Sequence, residues 1–367
     1  MMKIKFLKIG DWKKTICISD SRCLDWYRKD FELFVKNNKE YCFLFLDYNQ
    51  YSNYFKISIF WHVTYEKLDK TYKKSSLLKE YYSDLSTFLE NEWIKNFLVI
   101  STWEYRHPDF LKSLKILWIK LDIYTVDDDW SIELCSLHYT KYYNHHFHVW
   151  VMYDKNITIA KKLEEHWQKN AIRLPLWALE WHVNENIAYK NRDIDICYIW
   201  NVNPPKFFRL SKLKRRYWDR FKLYWKQWNW DWKSLKWIFY KICNKIFRLW
   251  YVEKISDEKL MDIYSRTKIW FNMHLDPIKW PSNIRLYELP YNWVMQLCDD
   301  LVWLKRIFNI WKEVVGYKDI DDAIEKIDFY LEHDNLRQEI AHNGYLRAKK
   351  EEYKFQKSLE KMIEMIG

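Results

Sequence analysis

A chain that alternates strands with helices must reverse direction every few residues, and glycine takes the left-handed backbone of those reversals at no steric cost. This sequence of 367 residues contains 4 Gly and 24 Trp. Glycine ordinarily makes up about 7% of a protein, and here Gly and Trp together reach about that share. The tryptophans also stand where turn glycines are expected. Asn-Gly and Asp-Gly are the strongest short turn signals, and an Asn or Asp precedes Trp in GDW (10–12), DDDW (127–130), NWDW (229–232) and YNWV, which holds Trp293. Others follow amphipathic helical stretches, as in AKKLEEHWQKN with Trp167 and FLKSLKILWIK with Trp118, where a left-handed cap residue ends a helix. A β-carbon is disfavoured at such positions. The expectation is that many of these tryptophans occupy glycine places, as follows when a UGA codon read as glycine in a bacterial source cell is rendered as tryptophan. WKQWNWDWK (225–233) then becomes GKQGNGDGK, an ordinary flexible loop. The alternative is a Trp-rich protein whose rings fill a core or stack on sugars and bases. Core rings should recur at a period of two or 3.6, whereas these gather at element ends beside polar residues.

The length suits two domains, each able to bury its own core. Lys plus Arg outnumber Asp plus Glu, 61 to 50, which favours anionic partners such as nucleotides, phosphates or acidic membrane surfaces. Seven cysteines (17, 23, 42, 135, 197, 243 and 298) are scattered without a CxxC pair, so neither a disulfide framework nor a zinc site is indicated. With no signal-peptide core and no run of 18 apolar residues, the expected location is the cytoplasm.

Apolar strand-like runs alternate with helical patterns throughout, which predicts an α/β fold built on parallel sheets. Strands are expected at 4–9, 41–46, 55–60, 97–102, 121–126, 147–152 and 171–176, with helices at 76–92 and 157–166 among them. A polar stretch, NENIAYKNRD (184–193), reads as a linker. The second half restarts with IDICYIW (194–200), a basic helix ending in KRRYW, and further strands at FKLYW, KIWFNM, VMQLCD and KEVVGY. A highly charged helical tail covers 335–366.

Three stretches of the second half, SRTKIWFNMHLD (265–276), NIRLYELPYNWVMQLCDD (283–300) and the run from Ile307 to Tyr353, carry a recognisable pattern. It consists of R-x-x-E, a strand ending in Asp, G-x-E-V-V and an h-x-x-R-x-x-I-A-x-x-G helix. The sequence resembles GT-B glycosyltransferases of the glycosyltransferase group 1 superfamily, on the branch related to spore-maturation CgeB-type proteins. Trp293 and Trp311 occupy glycine places of that pattern. The resemblance covers roughly residues 190–350, with a weaker match upstream. It implies two Rossmann-like domains facing a cleft: an acceptor-side domain at 1–185, a nucleotide-sugar domain at 190–350, and a C-terminal helix at 351–367. It also implies transfer of a sugar from a nucleotide-sugar donor, a UDP-sugar, to an unidentified glycan, lipid or protein acceptor, with neither cofactor nor catalytic metal.

Each part of such a donor makes its own demand. The ribose diol suits a carboxylate accepting two hydrogen bonds, and the resemblance places Glu288 there. The diphosphate leaving group calls for cations, for which Arg285, one helical turn before Glu288, and Lys206 and Arg209 are suitably placed. Asn272 and Asn283 are candidates for hydrogen bonds to the donor. The acceptor hydroxyl needs a base, for which His107 and Asp109 in EYRHPDF are chosen, with Glu104 close by. The Asp run 127–129 reads as a solvated loop rather than a cation site, and NHHFH (144–148) is assigned no site because consecutive histidines on a strand point to opposite faces. The basic helix 206–216 offers a contact with the inner face of an anionic membrane. Two other functions remain: nucleic-acid binding through interleaved Lys and Trp, not expected on the leading reading, and a silent GT-B-like binding module.

Overall fold

The computed structural model describes residues 3–11, 14–50, 65–101, 106–126, 137–149, 157–175, 177–184, 192–199, 204–225, 253–274, 283–300 and 304–367. The strand expected at 55–60, the Asp run 127–129, Glu104 and the loop 226–233 lie outside them. The chain divides into two compact units, residues 1–180 with 354–367, and residues 181–353. Among the described residues no helix is long and apolar enough to cross a membrane.

In the first unit, seven strands form one sheet: β1 (Phe6–Ile9), β2 (Lys14–Ile18), β3 (Tyr41–Leu46), β4 (Asn96–Ser101), β5 (Lys120–Thr125), β6 (His145–His148) and β7 (Ala171–Arg173), in the order β1-β3-β2-β4-β5-β6-β7. All neighbours are parallel except the β1–β3 edge pair. Strands such as YCFLFL are apolar on both faces because helices cover both sides of a parallel sheet. Those helices include α1 (Leu24–Asn37), α2 (Tyr65–Lys74), α3 (Ser76–Asn91), α4 (Pro108–Ile116) and α5 (Ile159–Glu165).

The second unit holds a six-stranded, wholly parallel sheet of β8 (Ile194–Ile199), β9 (Phe221–Trp225), β10 (Glu253–Lys254), β11 (Thr267–Asn272), β12 (Met295–Asp299) and β13 (Val315–Tyr317). Their order is β10-β9-β8-β11-β12-β13. Numbered from β8, that is the doubly wound order 3-2-1-4-5-6, whose direction reverses between β8 and β11. The helices include α6 (Pro204–Tyr217), α7 (Asp257–Arg266), α8 (Arg285–Tyr291), α9 (Ile320–Glu332) and α10 (Asp334–Lys350). The final helix, α11 (Phe355–Ile366), returns to the first unit, where Phe355 stacks on Tyr27 at 4.7 Å and Gln356 donates to the Asp30 carbonyl.

Backbone angles single out the tryptophans. Among the described residues the non-glycine positions with positive φ are Trp93 (56°), Trp118 (58°), Trp167 (70°), Trp218 (49°), Trp293 (54°), Trp311 (75°) and Glu352 (51°). At four helix ends the hydrogen bonds repeat one pattern. Trp93 N–H donates to Glu90 O and Ile94 N–H to Leu89 O, and the same pairing recurs at Trp118, Trp167 and Trp293. This is the double bond of the Schellman cap, whose left-handed residue is usually glycine. Trp93, Trp118 and Trp167 are 80%, 86% and 81% exposed, so their rings contribute little packing. Trp270 differs: it is buried in β11 and packs on Tyr264 at 5.0 Å.

The NHHFH stretch has a structural use. His146 is fully buried, with Thr140 Oγ1 2.8 Å from Nδ1 and Thr125 Oγ1 3.1 Å from Nε2. Burial drives its pKa from 6.5 down to about 3, so the folded state holds it neutral. A group with a depressed folded pKa contributes stability that is present above its unfolded value and lost as pH falls below it. Acidification from pH 7 to pH 5 should therefore destabilise the first unit by about 2 kcal/mol through this residue. Urea unfolding at the two pH values checks this, and His146→Gln should remove that part of the loss.

Candidate functional site

In a doubly wound sheet, ligands bind beyond the carboxyl ends of the strands where the strand order reverses. In the second unit that place lies past β8 and β11. Lys206 arrives there on the first turn of α6, the helix that follows β8, while Asn272 and His274 follow at the end of β11 and Asp299 closes the neighbouring β12. Lys206 is buried and its ammonium donates to Tyr198 Oη at 3.2 Å. Burial pushes its pKa from 10.5 down to about 8, against the pull of Asp299 and with the help of Arg209. Arg209, one turn along the same helix, is exposed.

Asp299 is the hub of this end. Its Oδ2 accepts from the His274 backbone N–H at 3.0 Å, and its Oδ1 lies 2.6 Å from His274 Nδ1. Burial opposes the charged carboxylate, but His274 outweighs it and holds the Asp299 pKa below the usual value. Cys298 Sγ lies 3.5 Å from Asp299 Oδ1 and 3.9 Å from His274 Nδ1. The three donor atoms are within 4.8 Å of one another, a grouping that a metal ion could use. The chemistry favours a hydrogen-bonded group instead, because burial, and then Asp299, raise the thiol pKa well above 9, and only a thiolate ligates well. Tyr317, stacked on Phe271 at 5.0 Å, donates its hydroxyl to the Asn272 carbonyl at 3.1 Å and walls the site.

The remaining donor-side candidates are turned towards the protein. Asn272 and Asn283 pair amide to amide, at 2.8 and 3.3 Å, and Asn283 Oδ1 also accepts from Leu286 N–H at 3.1 Å, fixing the start of α8. Glu288 is fully buried. Its Oε2 accepts from Tyr264 Oη at 2.6 Å and from Arg285, and its Oε1 pairs with His182 Nδ1. Arg285 also donates to Tyr264 Oη at 2.7 Å. Burial works against the charged carboxylate, yet His182 and Arg285 prevail and lower the Glu288 pKa to about 2. The Arg285–Glu288 spacing thus builds an internal ion pair on one face of α8, with both carboxylate oxygens taken by protein donors.

In the first unit His107 caps α4. Its Nδ1 accepts from Asp109 N–H at 3.2 Å, its Nε2 lies 3.2 Å from Asp69 Oδ1, and its ring stacks on Tyr72 at 3.8 Å. Burial, partly offset by Asp69, lowers the His107 pKa, so the ring is neutral at pH 7, with both nitrogens engaged. The Asp109 carboxylate is exposed and meets Lys112 at 3.2 Å.

The structure therefore brings Lys206 to the strand ends beside two residues that sequence reasoning left without a role, His274 and Asp299. A histidine directly after a strand, facing an Asp at the end of the next one, was the available signal. For His182, 106 residues from Glu288, the sequence offers none.

Residues 207–364 match the model of a family described as glycosyl transferase-like. No curated protein matches the chain in sequence. Among solved structures, the HepE protein of Anabaena in complex with UDP and glucose aligns with a TM-score of 0.59 at 7% identity, covering 96% of this chain and 99% of that one. Sucrose-phosphate synthase from Thermosynechococcus elongatus gives 0.57 at 9%, covering 88% and 82%. A glycosyltransferase from Rickettsia africae gives 0.54 at 12%, covering 82% and 86%. The fold is thus of the GT-B kind, with Rossmann-like architecture, and residues 207–364 are similar to a glycosyl transferase-like family.

Proposed function

We propose that this chain is a glycosyltransferase that moves a sugar from a nucleoside-diphosphate donor, a UDP-sugar, to an acceptor hydroxyl without a catalytic metal. The observation that carries the reading is the position of Lys206, a buried cation at the switch point of the domain that matches the glycosyl transferase-like family. A diphosphate accumulates charge as it departs, and a fixed cation at that place lowers the barrier. Arg209 adds a second, solvent-facing charge. The ribose diol is assigned to Glu288, which would have to exchange its His182 contact for the diol in order to bind it. On the acceptor side Asp109 is the more open base, while His107 holds the helix end that positions it. Acceptors of the glycan, lipid or protein class all suit this scheme, and the basic face of α6 suits an anionic membrane surface.

Calorimetric titration with UDP, followed by hydrolysis and transfer assays with UDP-sugars, tests the reading. A charge-assisted contact is worth about 1.5–3 kcal/mol, so Lys206→Met should weaken UDP binding by roughly 10- to 100-fold. With its pKa at about 8, Lys206 is charged below that pH and neutral above it. UDP affinity should therefore fall as pH rises through about 8. No binding of UDP at any pH would sink the proposal. UDP binding without turnover would leave the chain a silent binding module.

We further propose that the tryptophans at the helix ends are glycines in the source cell, encoded by UGA. The positive φ angles and Schellman bonds at Trp93, Trp118, Trp167 and Trp293 support it, since an L side chain is strained there. The codons at these positions and the intact mass of the authentic protein decide the matter, and uniform UGG codons would refute it.

A further inference from the structure

Asp299, the last residue of β12, ties down the chain just past β11 through the His274 backbone N–H, and its second oxygen fixes the His274 ring. Asp299 accepts from both the backbone N–H and Nδ1 of His274, so Nδ1 carries a proton and the ring plane is fixed. That leaves Nε2, the outer nitrogen, without a hydrogen-bond partner among the described residues, although the side chain is only 2% exposed. A buried polar atom with no partner costs roughly 1–3 kcal/mol. Such a cost is retained where a ligand repays it. The place is the crevice where the strand order reverses, and a buried ammonium, Lys206, approaches the same carboxylate from α6.

We propose that His274 binds the diphosphate of the donor as an imidazolium, its Nε2–H donating to a phosphate oxygen while Asp299 stabilises the charge through Nδ1–H. This rests on the glycosyltransferase reading and adds to it a residue of direct contact. With a nucleoside diphosphate bound, both ring nitrogens carry protons in this scheme, and Nε2–H is the donor to the phosphate. No covalent bond forms or breaks at His274. The same N–H remains in place as the glycosyl bond breaks and its electron pair moves onto the diphosphate.

The groups that bear on this titration come from four elements. Lys206 and Arg209 on α6 oppose added positive charge, Asp299 and Asp300 at the end of β12 favour it, and the hydroxyls of Tyr198 on β8 and Tyr317 on β13 lie among them. Burial, and then Asp299, raise the Tyr317 pKa well above 10, so it does not compete at neutral pH.

Proton uptake separates this role from a structural one. UDP is titrated into the full-length protein at pH 7 by calorimetry in two buffers of different ionisation enthalpy. Binding by the parent should take up close to one proton, in excess of the small share that Lys206, already largely charged at pH 7, can supply. Lys206→Met should bind more weakly but keep the uptake. His274→Asn should lose it and bind UDP roughly 10-fold or more weakly, with its far-ultraviolet circular dichroism unchanged. Should His274→Asn fail to fold, Asp299→Asn replaces it. An amide in place of the carboxylate should lower the uptake measured at pH 7 and shift the pH dependence of affinity to lower pH. If UDP binds the parent with no proton uptake, or binds His274→Asn with the uptake intact, the role of His274 is refuted while the donor site stands. If the parent binds neither UDP nor inorganic pyrophosphate, the donor site itself is refuted, and this role with it.

Discussion

Glu288→Ala is expected to cost the second unit about 3–5 kcal/mol, the usual loss when one partner of a buried ion pair is removed. The variant leaves the Arg285 guanidinium, only 4% exposed, facing Tyr264 and His182 with no counter-charge. Urea unfolding followed by a probe of the second unit measures the loss. The paired change Glu288→Leu with Arg285→Met should be milder than either single change, since an apolar replacement removes both desolvation penalties at once. Should Glu288→Ala cost less than about 1 kcal/mol, the cluster is not held as described. Turnover of Glu288 variants therefore has to be read where the protein is shown to be folded, because loss of fold and loss of a ribose contact otherwise look alike. Glu288→Gln, which keeps a similar shape, serves that purpose.

The triple variant Trp93→Gly, Trp118→Gly, Trp167→Gly is expected to be more stable than the parent sequence by about 3 kcal/mol, at roughly 1 kcal/mol for each relieved left-handed position. All three lie in the first unit, on the exposed ends of α3, α4 and α5, so little burial is lost in exchange. For a unit of this size each step corresponds to a rise in Tm of about 2–4 °C. Trp270→Gly is the contrasting control. Its ring is buried, and removing it should cost about 3–5 kcal/mol, as large-to-small core changes do. If the triple variant is less stable than the parent, its indoles are making contacts that outweigh the backbone strain.

The sheets were readable because parallel strands buried on both faces appear as uninterrupted apolar runs. YCFLFL matches β3 residue for residue, and IDICYIW matches β8 from Ile194 to Ile199, its last residue lying outside the described ones. Two strands were missed: the two-residue edge strand β10, and β2, KTICI, which is central in its sheet between β3 and β4. The apolar part of β2 is three residues long and follows Lys and Thr, too short for any period to show. Helix ends were legible for an unusual reason: the tryptophans flagged from composition at 118, 167 and 293 coincide with positive φ. The site was legible only in part. Lys206 could be placed from its position after a strand, but the His274–Asp299 and His182–Glu288 pairs join residues 25 and 106 apart, and such pairings follow from strand order rather than from local pattern. His107 and Arg285 drew notice for their chemistry, and in the structure both His107 ring nitrogens and the Arg285 Nη1 are engaged by internal partners.

The return of α11 to the first unit has a bearing on how the polypeptide is made. Phe355, Leu359, Met362, Ile363 and Ile366 complete the packing of a body whose other residues all precede Trp181. A ribosome releases the second unit as one continuous stretch before those side chains emerge. The earlier half must therefore wait, with part of its apolar surface uncovered, until residues 355–366 have emerged, while the later half can close first. Truncation at Tyr353 should accordingly spare the second body and leave the first prone to chaperone capture.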